Sequence, residues 1–138
     1  MRGRGKVGHR RMTPGLHKAK AERIESSMQR LDDSDYEAII EATMLAGSHW
    51  FNFACHRMKL TAAHADVMHA GYLNGVQRVE LSLRATELLR AMDEIEAYRA
   101  GFVRGDLNGG QQVAARCRRL LEVIRRDAMA AEPLQAQS

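Results

Sequence analysis

The sequence predicts an all-α protein, an antiparallel bundle of four to five helices. Three observations carry that prediction. The 138-residue chain holds only two prolines and is rich in Ala, Leu, Met, Glu and Arg, a composition that favours helix. No segment alternates apolar and polar residues as a half-buried strand would, and no Asn-Gly-type turn separates two apolar runs. Leu81, Ala85, Leu88, Met92, Ile95 and Phe102 recur at heptad-like spacing.

Taken in order, residues 1–15 are rich in Gly and Arg and end in Thr13-Pro14-Gly15, which predicts a basic tail with little structure of its own. Residues 16–130 are expected to form the helical domain, and residues 131–138 a second tail. Leu16 to Leu31 predict a first, mostly polar helix with a thin apolar stripe of Leu16, Ile24, Met28 and Leu31. Asp32-Asp33-Ser34-Asp35 breaks it, and Ser34 with Glu37 matches the capping-box spacing. A central helix is expected over Asp35–Met58, with Ile39, Ile40, Met44, Leu45, Phe51 and Phe53 giving it a wide apolar surface. Gly47 in its middle costs roughly 1 kcal/mol against Ala, so it points to the close approach of a neighbouring helix or to a local kink.

Thr61 is placed to cap a further helix starting near Ala62. The heptad-like pattern then predicts one long helix over Val76–Val103. Gly105 to Gly110 read as a loop. The last helix, Gln111–Met129, presents Val113, Cys117, Leu120, Leu121 and Ile124 on one face and arginines on the other. Glu122 and Asp127 stand close enough in sequence to pair with those arginines along the helix surface.

Charge is unevenly placed. The net +4 arises because residues 1–20 carry seven Lys or Arg and no acid, leaving fourteen bases against seventeen acids, or −3, in the rest. Such an arm suits a polyanion. Arg2, Arg4, Lys6, Arg10 and Arg11, with Arg116 and Arg119 of the last helix, are the candidate nucleic-acid contacts. No apolar run approaches the ~18 residues of a membrane span, and the basic N-terminus lacks the apolar core of a secretory signal. Cys55 and Cys117 lack metal-type spacing and fit small core residues in a reducing cytoplasm. Phe51, Met44, Met58 and Met68 offer more apolar surface than one small bundle needs, which suits the face of a homodimer; a buried core explains the same residues.

The stretch Glu41–Tyr72 concentrates the chemistry, with four of the six histidines and the one tryptophan. Trp50 falls in mid-helix, as a core residue would. On a helix, His49 and His56 are about 20° apart and share a face, with Glu41 at its edge. Glu41, His49, His56, His64 and His69 are therefore the metal-ligand candidates. His64-x4-His69 is not a tight pair and the Glu-x-x-His signature is absent, so no metal and no cofactor are expected.

Arg57 at the end of the central helix and His64, with six residues between them, could meet across a short turn. Such a pair supplies a base and a fixed positive charge for metal-independent attack of a 2′-hydroxyl on phosphate. The Arg-x6-His spacing, the WFNFACH segment and the IEAYRAGFVRG segment together resemble the HEPN superfamily over about ninety residues. That resemblance implies a helical bundle that cleaves or binds RNA or nucleotide, with Arg57 and His64 catalytic in a site completed across a dimer. It also implies a toxin–antitoxin setting, with an antitoxin or nucleotidyltransferase partner. A non-enzymatic interaction protein with a basic arm is the other class the sequence leaves open.

Overall fold

The structure is a computed structural model that describes residues 12–62, 66 and 73–131. Those residues are all-α, with no strand among them. The helices are α1 (Pro14–Met28), α2 (Tyr36–Arg57), α3 (Gly75–Arg84), α4 (Thr86–Tyr98) and α5 (Gly110–Ala130), and a π-helical segment, Arg99–Arg104, continues α4. Among the described residues no helix is long and apolar enough to cross a membrane. The basic residues 1–11, His64, His69 and Met68 lie outside the described residues.

Helix α2 is the centre of the bundle and packs against α1, α4, α5 and the π-helical segment. Ile39, Ile40, Trp50, Phe51, Ala54 and Cys55 are buried along it. Gly47 lies where α2 crosses α4 and α5, the close approach that was one of its two readings. A Cβ there would stand 3.1 Å from Met92 Sδ and 3.4 Å from Ile124 Cδ1, so its absence lets the helices approach. Leu81, Ala85, Leu88, Met92 and Ile95 are buried, as are Cys117, Leu120, Leu121 and Ile124 of α5. Both cysteines are unpaired and buried, and burial pushes their thiols up to about 12.

Several expectations are corrected. Thr13-Pro14-Gly15 starts α1 rather than ending a tail: the Thr13 hydroxyl accepts from Leu16 N at 3.2 Å, and Pro14 occupies the first turn, where a missing N–H costs nothing. Ser34 does not cap α2. Asp35 stands at the N-cap without a side-chain bond, because the acids tie up their own turn: Ser34 N donates to Asp32 Oδ1 and Asp32 N to Asp35 Oδ2. The single helix expected over Val76–Val103 is broken at Ala85 (φ −146°, ψ 61°). A carboxylate from another helix meets the new N-terminus, Asp127 Oδ2 of α5 accepting from Leu88 N at 3.0 Å. Of the two readings of Phe51, Met44 and Met58, the structure gives the core: all three are buried within one chain and do not form a dimer face.

The end of α2 sets the path of the next segment. Lys59 adopts the left-handed conformation (φ 62°), Leu60 N bonds Cys55 O and Lys59 N bonds His56 O. This is a Schellman closure made without glycine. It sends the chain back toward α2, and Ala62 is not helical, so no helix starts there. Thr61 serves another purpose. Asn74 and Gln77 form a capping box that starts α3, and Gln77 Nε2 donates to Leu60 O, tying α3 to the end of α2.

Candidate metal centre

The histidines converge where α1, α2 and the returning chain meet. His17 lies on the apolar stripe of α1, in register with Ala21, Ile24 and Met28, and is 2% exposed. His49 and His56 come from one face of α2, as their seven-residue spacing predicted. His56 is 6% exposed and His49 half-buried. Asp66 arrives from the segment after the Schellman turn, its side chain 39% exposed.

One oxygen, Asp66 Oδ1, lies 2.9 Å from His17 Nε2 and 2.8 Å from His56 Nε2. The far nitrogens are also engaged: His17 Nδ1 is 3.0 Å from His49 Nδ1, and His56 Nδ1 is 2.8 Å from Thr61 Oγ1. The His17 ring lies 5.2 Å from that of His49 and 5.4 Å from that of His56, centroid to centroid. With every ring neutral, one set of protons satisfies every contact. Both Nε2–H groups donate to Asp66, His49 Nδ1–H donates to His17 Nδ1, and the Thr61 hydroxyl donates to His56 Nδ1.

The same geometry sets the electrostatics. Burial raises the Asp66 carboxyl, but the hydrogen bonds from His56 and His17 outweigh it and hold Asp66 below the usual carboxylate range. Desolvation lowers His49, and the neighbouring His17, Lys20 and Arg23 lower it further against the opposing pull of Asp66. The carboxylate is thus the one anion in a cluster of nitrogen bases.

A divalent ion fits this donor set. His17 Nε2, His56 Nε2 and an Asp66 oxygen lie within 4.8 Å of one another, close enough for one ion to replace the two shared protons. Two imidazoles and a carboxylate suit zinc or a non-haem iron(II) centre and leave positions for water or another ligand. The remaining nitrogens already meet His49 and Thr61, the kind of outer hydrogen bond that orients metal-bound histidines.

The other sequence candidates separate from this cluster. Glu41 is not brought to the histidines: Arg99 holds it, with Nε–Oε2 at 3.0 Å. His64 and His69 lie outside the described residues. Arg57 ends α2 with its guanidinium 5.4 Å from the Phe53 ring centroid. The α5 arginines do not pair with Glu122 along their own helix. Arg116 grips Glu94 through Nε–Oε2 at 2.8 Å and Nη2–Oε1 at 3.0 Å, while Arg118 reaches Asp33 and the carbonyls of Met28 and Leu31. Arg119 is exposed. Trp50 is core, as expected, and its Nε1 donates to Glu25 at 2.5 Å.

Sequence reasoning missed His17 and Asp66. The signal for His17 was its place on the stripe of α1, where an ionisable residue stands out; for Asp66 it was an acid set between two histidines. Comparison with protein-family models, with curated proteins and with solved structures gives no match in any of the three.

Proposed function

We propose that the chain is a metal-binding helical bundle, in which His17, His56 and Asp66 hold a divalent transition-metal ion with open coordination positions. The observation that carries this reading is the single carboxylate oxygen within 2.9 Å of two Nε2 atoms on different helices. It takes the place of the expectation of no metal, which rested on spacing along the chain. An open position on such an ion takes up water or a small ligand and polarises it. The test is titration of the purified protein with cobalt(II), read by visible absorption, and with zinc, read by competition with a chelator. One ion per chain in wild type, lost in His56→Ala with helical content unchanged, supports the reading. Loss of tight binding from neither His56→Ala nor Asp66→Ala, or none in wild type, refutes it.

A second reading, an RNA- or nucleotide-directed protein, is favoured by where the centre sits. His17 lies in the first turns of α1, so Arg10 and Arg11 precede it by only six or seven residues, and Arg2, Arg4 and Lys6 by at most fifteen. A polyanion held by this arm would be tied to the cluster by only a short stretch of chain. In the HEPN-like form of this reading, Arg57 and His64 cleave RNA without metal across a homodimer, in a cytoplasmic toxin–antitoxin setting with an antitoxin or nucleotidyltransferase partner. RNA cleavage that survives EDTA and is lost in Arg57→Ala and His64→Ala would support that form. Cleavage that needs metal and is lost in His56→Ala would assign the chemistry to the centre instead.

A further inference from the structure

We infer that His49 is a positioning residue for the centre, the acceptor that fixes His17 with a bare Nε2 facing the metal; the inference rests on the metal-binding reading above. The His17 Nδ1–His49 Nδ1 separation of 3.0 Å admits one proton between the two nitrogens. With neutral rings and no metal, Asp66 Oδ1 accepts from His17 Nε2–H, so His17 Nδ1 is bare and the shared proton belongs to His49. A metal on His17 Nε2 requires that nitrogen to be bare, and the neutral ring then carries its proton on Nδ1. That N–H must donate, and the nitrogen it faces is His49 Nδ1. His49 in turn keeps its own proton on Nε2. With the rings neutral, loading moves protons between nitrogens and removes none, and Asp66 enters as a carboxylate.

The two ligand histidines are served differently. His56 has a hydroxyl acceptor five residues along its own chain, Thr61 Oγ1 at 2.8 Å, which reverses direction by rotating about one bond. His17, at 2% exposure, has only His49 facing its Nδ1 among the described residues. Leaving that N–H buried without an acceptor is costly, so removing His49 penalises the loaded form. Helix α2 therefore supplies one ligand, His56, and, two turns earlier on the same face, the group that orients the other.

The experiment compares wild type, His49→Ala and His49→Asn as full-length protein. Zinc affinity is measured by chelator competition, and the His17 ring nitrogens are followed by 15N NMR. The Asn amide oxygen stands near where His49 Nδ1 was and can accept the same bond. His49→Ala is expected to weaken zinc binding by about 10- to 100-fold, with His49→Asn restoring most of it. The His17 proton is expected on Nε2 without zinc and on Nδ1 with it. Zinc bound equally tightly by wild type and His49→Ala overturns this inference alone. His49→Asn as weak as His49→Ala overturns the acceptor role and leaves His49 as packing. No zinc binding by wild type overturns the metal reading and this inference together.

Discussion

The two halves of α2 put the same helix to opposite uses. Its first half buries Ile39, Ile40 and Met44, and at Gly47 Met92 of α4 and Ile124 of α5 fill the space that the missing Cβ leaves. Its second half buries Trp50, Phe51 and Cys55 too, but from the same turns it also sends His49 and His56 into a polar cluster. Apolar groups gain from leaving water wherever they pack well. Buried imidazoles gain only if every nitrogen finds a partner. The first half therefore contributes stability, while the second commits hydrogen-bonding capacity to one arrangement that a simpler apolar core would not need. That contrast is the physical reason to look for function at the second half.

The contrast breaks most readily at Phe51, which is fully buried in the second half, about one turn past Gly47. Phe51→Ala should destabilise by about 3–5 kcal/mol in denaturant unfolding, since the cavity cannot be filled by rigid helix neighbours. A loss under about 1 kcal/mol would mean that the core repacks freely and that the two halves are not held in fixed register. At the polar end the expected effect is smaller. Asp66→Ala in metal-free protein strands the Nε2–H groups of His17 and His56 and should cost about 1–3 kcal/mol. Asp66→Asn keeps an oxygen acceptor and should cost less than Asp66→Ala in the same unfolding measurement. Equal stability of Asp66→Ala and wild type would show that the cluster does not hold α1 to α2.

The apolar half was legible in the sequence because its signals are local. Gly47 within an apolar helix announced a close crossing or a kink, and the spacing of Leu81, Leu88, Met92 and Ile95 named the buried face. The break at Ala85 was not legible, because the acceptor that stabilises it, Asp127, is 39 residues from Leu88 in sequence. The centre was half legible for the same reason. His49 and His56 share a helix, so their periodicity placed them together. His17 is 32 residues from His49, and Asp66 depends on a left-handed turn at Lys59 that no glycine marks. Distant donors meet through packing, and packing leaves no spacing rule in the chain. The arginine-rich face of α5 misled in the opposite way, since neighbours along the helix lost to partners across the bundle.

That preference for cross-bundle partners gives the smallest of the expected effects, and the one whose pH dependence is sharpest. Arg116 of α5 grips Glu94 of α4 through two bonds, and Tyr98 donates to the same carboxylate at 2.6 Å. The Arg116 bond is the main cause holding Glu94 below its ordinary value of 4.5; burial opposes it and Tyr98 adds to it. Because the folded value is depressed, the pair stabilises the fold fully above the unfolded value and is lost as pH falls through the folded one. Arg116→Gln should therefore lower Tm at pH 7 by about 3 °C or less, as befits a partly exposed pair. The gap between variant and wild type should then close as the pH falls below the ordinary value of 4.5 in a series of thermal melts. A gap that stays constant to the acid end would mean that Arg116 acts through the packing of its stem on α4, not through its charge.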